Sequence, residues 1–165
     1  AMMRDAGVVF TPEEANAIAV ADFGLSRLEI EGAQILTFFN SERVSAKVIA
    51  LFPGQTLPEH WHPPVGNDPG KEETLRVIAG TLYVGLPGEG CVRHALLPAG
   101  KEDCYTCRHE IVMAPADQIT LEPGVPYWMQ AGSEGAVLYS FSTCARDILD
   151  GFTDPNVVRE TQIID

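Results

Sequence analysis

Short runs in which apolar and polar residues alternate fill most of the chain from Gln34 onward. Alternation with a period of two predicts β-strands, and glycine, proline, asparagine and aspartate between the runs predict the turns. Many short strands must bury their edges by closing on themselves. We therefore predict an all-β fold, a closed antiparallel barrel or jelly roll, with strands at 35–39, 45–52, 57–62, 74–78, 81–85, 109–113, 118–121, 126–131 and 136–142.

Two connections in this series are distinctive. Ala79-Gly80 lies between two strand-like runs, which predicts a tight hairpin turn there. Residues 86–107 are rich in glycine, proline and charged side chains, which predicts a long irregular excursion.

The N-terminal part of the chain carries a helix start. Thr11 can cap a helix, Pro12 suits its first position, and Glu13 and Glu14 favour the positive end of the helix dipole. We expect a short helix from Pro12 to about Ala21. The 165 residues then form one domain, with an N-terminal helical segment (1–33), the barrel (34–145) and a C-terminal tail packed on it (146–165).

Two histidines separated by one residue mark the third predicted strand. His60 and His62 would face the same side of that strand, about 6.6 Å apart, while Trp61 points away. A loop rich in proline and glycine follows, and then Glu72 and Glu73, of which only one can face the histidines. Two imidazoles and a carboxylate from the next strand are ligands for a divalent metal.

Composition narrows the range of partners. The net charge of −12 disfavours nucleic acid and anionic membranes as partners, since both would be repelled. Cys91, Cys104, Cys107 and Cys144 include one CxxC pair and no second one, so we interpret them as reduced thiols of a cytoplasmic protein. The sequence contains no run of about 18 apolar residues, so it predicts no membrane-spanning helix.

The sequence around the histidines resembles that of a known family. One stretch is similar to the first motif of the cupin superfamily: Gly54, five residues, His-x-His, a spacer, Glu73, six residues and Gly80. From near Ala21 to the end, the chain resembles the D-lyxose isomerase family of small cupins in the stretches LFPGQTLPEH, HPP, DPGKEET, HEIV, WMQAG, FST and FTDP.

This resemblance implies a cupin barrel and a metal-dependent aldose–ketose isomerase that acts through an enediol. The substrate would be a small sugar, a pentose or hexose. Mn²⁺ is the favoured metal, and Fe²⁺, Co²⁺, Ni²⁺ or Zn²⁺ also suit nitrogen and oxygen ligands without thiolate. Family analogy further implies a homodimer.

The chain departs from the family pattern at two positions. Where the family places a histidine as fourth metal ligand, this chain has Tyr127, a phenol that ligates divalent metals poorly. The predicted metal set is therefore His60, His62 and Glu73, with Tyr127 at the fourth position. His109 could replace the missing ligand, although a pocket or structural role suits it better.

The second departure is Ser140, where the family carries a glutamate that resembles the proton-transfer base. A serine hydroxyl is no base for a carbon acid, so Glu59 and Asp154 are the candidate bases and Lys71 is the candidate acid or electrophile. We expect the substrate pocket to include Trp128, Tyr83, His109, Ser140 and Phe141, and we expect Arg146 and Asp147 to pair with each other.

Three functions are compatible with these residues. The first is a sugar isomerase, which would interconvert an aldose and its ketose. The second is a carbohydrate-binding cupin that has lost a metal ligand and the base, at Tyr127 and Ser140. The third is an iron-dependent oxygenase that uses the three-ligand set.

Overall fold

The computed structural model describes residues 1–159. Two short helices, α1 and α2, precede and flank a sheet of nine strands. The helices are α1 (Met2–Asp5) and α2 (Pro12–Asn16), and the strands are β1 (Ala19–Ala21), β2 (Ala33–Asn40), β3 (Val44–Leu51), β4 (Thr56–Trp61), β5 (Glu73–Leu86), β6 (His109–Met113), β7 (Gln118–Leu121), β8 (Tyr127–Thr143) and β9 (Gly151–Phe152).

The long strands β5 and β8 run antiparallel and join the two halves of the sheet. The N-terminal half of β5 and the C-terminal half of β8 belong to one half-sheet, in the order β1-β2-β3-β8-β5-β7. Their other halves belong to the second half-sheet, in the order β9-β4-β8-β5-β6. This curled antiparallel arrangement confirms the predicted cupin-type barrel.

The two half-sheets enclose the main apolar core. Leu75, Val77 and Leu138 from one half are buried with Leu82, Val84 and other residues of the second half. A second apolar cluster lies under α1, and a third, around Tyr105 and Trp128, lies under the irregular segment 87–108. The excursion predicted from composition is thus a cover for the outer face of the barrel.

Most predicted strands are confirmed, but the hairpin at Ala79-Gly80 is wrong. β5 continues through Gly80, whose φ is +76°, and a Cβ there would lie 2.0 Å from the carbonyl oxygen of Gly135 on β8. Gly80 therefore allows two strands to approach closely where the register shifts, and it makes no turn. The predicted strands 126–131 and 136–142 are likewise parts of one strand, β8.

The ends of the chain differ in part from expectation. Thr11 caps α2, as the sequence predicts, and Glu14 completes a capping box with it, a feature not predicted from the sequence. The helix ends at Asn16, however, because Ala19–Ala21 pairs with β2 instead. The described part of the tail packs on the barrel, where β9 pairs with β4; residues 160–165 of the predicted tail lie outside the described residues.

None of the helices within residues 1–159 is both long enough and apolar enough to cross a membrane.

Candidate active site

Strand β4 carries His60 into the barrel, and His62 follows immediately after the strand ends at Trp61. His60 is buried, and its Nδ1–H donates to the carbonyl oxygen of Pro58 over 2.8 Å. The Nδ1–H of His62 donates to Oδ1 of Asp150 over 2.7 Å, and the two rings lie 5.2 Å apart. Because both Nδ1 atoms face acceptors, the neutral form of each ring carries its lone pair on Nε2.

Glu73, the first residue of β5, supplies the carboxylate. It is 3% exposed, and its Oε2 accepts the hydroxyl hydrogen of Tyr127 over 2.5 Å. Its Oε1 accepts the hydroxyl hydrogen of Ser140, and Lys71 Nζ lies 3.5 Å from Oε2. The two positions that depart from the family pattern, Tyr127 and Ser140, therefore both donate to the same carboxylate.

Tyr127 also meets both histidines. Its ring centroid is 4.3 Å from that of His60, and its hydroxyl oxygen is 3.2 Å from His62 Nε2. Burial, together with the negative charge of Glu73, raises the pKa of the phenol well above its usual value. Tyr127 therefore stays protonated and acts as a hydrogen-bond donor.

The charges of the other groups follow from burial and their neighbours. Burial and the nearby His62 lower the pKa of His60 to about 4, so that its imidazole is neutral at pH 7. Burial also disfavours charge on His62, but hydrogen bonds to Asp150 and Glu73 outweigh it and raise its pKa. The ammonium of Lys71 overcomes the effect of burial on Glu73 and holds the pKa of that carboxyl well below its usual value.

A second carboxylate, that of Asp147, lines the same cavity as Glu73. Asp147 Oδ2 accepts from Lys47 and lies 3.5 Å from Nη2 of Arg159, while its Oδ1 is 3.4 Å from Lys71 Nζ. Despite burial, Lys71 and Lys47 lower the pKa of Asp147 to about 2. The predicted pair of Asp147 with Arg146 is wrong, since Arg146 instead contacts a carboxylate of the loop after His62, that of Asp68, at 3.1 Å.

Most of these groups line one cavity between the half-sheets, which has an apolar side and a charged side, but His62 and Ser140 are not part of its lining. Its lining residues are Phe23, Ile35, Lys47, Ile49, Leu57, His60, Lys71, Glu73, Tyr127, Met129, Asp147, Asp150, Phe152 and Arg159.

The structure places the two bases expected from the sequence outside this cavity. Glu59 neighbours His60 on β4 and so points to the opposite face, where it accepts hydrogen bonds from Thr106 and Thr153, each over 2.7 Å. Asp154 accepts from Lys101 over 2.7 Å and from the amide of Asn156.

Four expected pocket residues also lie elsewhere. Trp128 is buried under the excursion and donates its indole N–H to the carbonyl of Cys107 over 2.8 Å. Tyr83 packs against the same cluster, His109 is exposed, and the ring of Phe141 is 46% exposed on the outer face. On β8, alternation turns residues 128 and 141 outward because 127 and 140 point inward.

Sequence reasoning missed Lys47, Asp150, Phe152 and Arg159. Lys47 had a signal, because a lysine in the middle of an otherwise apolar strand is unusual unless it is paired. Asp150 and Arg159 had none, since they reach the cavity from a tail far from the histidines in sequence.

The side chains present fit a divalent metal. Ligand atoms of His60, His62 and Asp150 lie within 4.8 Å of one another. When His62 donates through Nδ1, its Nε2 lone pair faces Oε2 of Glu73 at 3.2 Å, and only a proton or a cation between them removes the repulsion. Two imidazole nitrogens and a carboxylate are a donor set suited to first-row divalent metals.

Comparison with known proteins yields full-length relatives, although no protein-family model matches the chain. The chain is 48% identical to the D-lyxose ketol-isomerase of Cohnella laeviribosi over 96% of this chain and 87% of that protein. It is 46% identical to the D-lyxose/D-mannose isomerase of Thermosediminibacter oceani, over 99% of this chain and 91% of that protein.

Solved structures with the same fold are more distant in sequence. The L-ribose isomerase of Acinetobacter sp. DL28 in complex with L-ribose superimposes with a TM-score of 0.80 at 14% identity, covering 94% of this chain and 88% of that chain. A double-stranded β-helix protein from Klebsiella pneumoniae gives a TM-score of 0.52 at 15% identity, over 74% of this chain and 84% of that chain. These two likenesses bear on the fold, while the full-length relatives show that this chain belongs to the D-lyxose isomerase family.

Proposed function

We propose that this protein is a metal-dependent aldose–ketose isomerase whose substrates are D-lyxose and D-mannose. The observation that supports the proposal is a cavity lined by His60, Lys71 and Glu73. His62 adjoins these residues, with its Nε2 3.2 Å from Oε2 of Glu73. Relatives at 46% and 48% identity are named for D-lyxose, and one of them also for D-mannose. The two sugars share their configuration at C2, C3 and C4, so a pocket that recognises the hydroxyl groups on those carbons accepts both.

The metal would be held by His60, His62 and Glu73, with Mn²⁺ as the favoured ion. When bound, it would supply a Lewis acid that polarises the sugar carbonyl and neutralises charge that develops on oxygen. Tyr127 would remain a phenol and, together with Ser140, would hold the Glu73 carboxylate in place rather than act as a ligand.

Lys71 would provide the acid. Its burial opposes a charge, but Glu73 and Asp147 raise its pKa, so that it is an ammonium at neutral pH. From its place between these two carboxylates it can donate a hydrogen bond to O1 or O2 of the sugar as charge moves between them.

Asp147, in place of Glu59 and Asp154, would accept the proton from C2 and return it to C1, which forms the ketose and regenerates the carboxylate. It is the ionised carboxylate of the cavity that touches neither histidine. Asp147 has three cationic neighbours, one of which is Lys71. When a substrate oxygen draws Lys71 away, the pKa of Asp147 rises and the carboxylate becomes a stronger base.

The test is an isomerase assay with D-lyxose and D-mannose, with Mn²⁺ added and the ketose measured. We expect turnover by the wild type, a loss of about 10²- to 10⁴-fold in Lys71→Met and Asp147→Asn, and normal turnover per folded molecule in Glu59→Gln. Equal turnover in wild type and Asp147→Asn would refute the role of Asp147. No ketose from any pentose or hexose would refute the proposal.

A second function is favoured by Ser140, which cannot act as a base. A carbohydrate-binding protein with this cavity would be stabilised by D-lyxose in a thermal denaturation assay and would form no ketose. Stabilisation together with turnover excludes this alternative.

A further inference from the structure

Three consecutive residues of the C-terminal tail lie against residues 60–62, and two of them each contact one histidine of the site. Asp150 accepts the Nδ1–H of His62 over 2.7 Å. The ring of Phe152 stacks on that of His60, with centroids 5.8 Å apart and planes inclined by 28°. Between them, Gly151 pairs in strand register with Trp61, and Phe152 pairs with His60.

The middle residue, Gly151, lies so close to Trp61 that no side chain fits between them. A Cβ on Gly151 would lie 2.3 Å from Cε2 and 2.4 Å from Cζ2 of the Trp61 ring. The backbone of the tail therefore lies directly against the indole, and the contacts of Asp150 and Phe152 with the histidines form together.

The two imidazoles are oriented by different means. His60 donates to Pro58, two residues earlier on its own strand, so its orientation belongs to β4 itself. His62 donates to Asp150, 88 residues later in the chain, so its orientation depends on the docked tail. A hydrogen bond from Nδ1–H to a carboxylate fixes the tautomer in which Nε2 can bind a metal.

We propose that the segment Asp150–Phe152 is a clasp that couples docking of the tail to binding of the metal, with Asp150 as the positioning residue of His62. This inference rests on the metal site of the proposed function. Linkage makes the coupling reciprocal: a tail that raises metal affinity by some factor is itself held more tightly by the same factor when the metal is bound.

The experiment measures Mn²⁺ affinity by titration calorimetry and the visible spectrum of Co²⁺ in wild type, Asp150→Ala and Asp150→Asn. Ile148→Ala is the matched control, because Ile148 is on the same tail and its side chain is 55% exposed. Circular dichroism verifies that each variant is folded. Hydrogen exchange of the backbone over residues 150–153, with and without Mn²⁺, reports on docking independently of catalysis.

We expect Asp150→Ala to lower Mn²⁺ affinity about 10- to 100-fold and to alter the Co²⁺ spectrum. Asp150→Asn should recover most of that loss, because its amide oxygen can still accept the Nδ1–H, and Ile148→Ala should bind as the wild type does. Mn²⁺ should slow exchange at 150–153 in the wild type and much less in Asp150→Ala.

Two results would overturn the clasp. One is wild-type affinity and unchanged tail exchange in Asp150→Ala, and the other is an equal loss in Asp150→Asn and Asp150→Ala, which would make the carboxylate itself a ligand. A wild type that binds neither Mn²⁺ nor Co²⁺ would instead refute the proposed metal site, and with it the clasp.

Discussion

Buried carboxylates on the two sides of strand β4 have opposite roles: Glu59 belongs to β4 and faces outward, and Glu73 of β5 lies on the inner side. On the outer face, Glu59 is 1% exposed and accepts from the hydroxyls of Thr106 and Thr153 and from the backbone N–H of Cys107. On the inner face, Glu73 lies beside an ammonium and an imidazole and lines a cavity. Burial alone therefore does not mark an active site; access to a cavity and charged neighbours do.

The rest of the outer face has the same structural character. Lys101 of the excursion lies 2.8 Å from Glu31 and 2.7 Å from Asp154 of the tail, and the Tyr105 hydroxyl donates to Glu31 over 2.7 Å. This network joins the excursion, the barrel and the tail. We expect changes on this face to alter stability and changes on the inner face to alter chemistry.

The largest expected effect is on the inner face. Glu73→Ala removes the carboxylate of the proposed metal site and with it several kcal/mol of charge stabilisation, so isomerase activity should fall about 10³-fold. Activity is compared at saturating Mn²⁺, with Glu72→Ala, the adjacent exposed carboxylate, as the control. Equal loss in both variants would contradict a special role for Glu73.

The next effect is expected on the outer face. Glu59→Ala leaves the buried N–H of Cys107 without an acceptor, which should lower the free energy of unfolding by about 1–3 kcal/mol. Denaturant titration measures this loss, and turnover per folded molecule should remain normal. A fall in turnover with unchanged stability would erase the distinction between the two faces.

A smaller effect is expected from pH. The pKa of Asp147 is about 2 in the folded protein and about 4 in an unfolded chain, so its ion pairs stabilise the fold above pH 4. That contribution, up to about 2 kcal/mol, should disappear as the pH falls from 4 to 2. Denaturant titrations of wild type and Asp147→Asn should therefore differ at pH 6 and converge towards pH 2; a constant difference would contradict the pairing.

The smallest effect concerns the departure at Tyr127. Tyr127→His introduces an imidazole beside His60 and His62, which should raise Mn²⁺ affinity by about tenfold, the scale on which single changes around a metal act. Calorimetry with Tyr127→Phe as the control separates the new ligand from the loss of the hydroxyl. Unchanged affinity in Tyr127→His would place the cation away from residue 127.

The sequence is sufficient for most strands and for the approach of His62 to Glu73, while the metal set of His60, His62 and Glu73 stays a prediction. Period-two alternation and the spacing of His60, His62 and Glu73 are local properties, and the family wording agreed with them. The continuity of β5 could not be predicted, because a glycine that admits a neighbouring strand looks the same in sequence as a glycine in a turn.

The remaining errors have two origins. Trp128 and Phe141 are predicted to lie in the pocket beside Tyr127 and Ser140, although neighbouring residues of a strand face opposite sides. Asp150 and Arg159 come from the tail, and only the folded topology brings Asp150 to His62 and Arg159 to the cavity.

The central claim is that the inner face of β4 and Glu73 form a cation-dependent isomerase site. Its most direct test is to dialyse the purified protein against a chelator, assay conversion of D-lyxose to its ketose, and then titrate Mn²⁺ back. We predict that activity disappears on chelation and returns in full with one equivalent of Mn²⁺ per chain. Turnover that persists without metal, or no turnover at any Mn²⁺ concentration, would contradict the account.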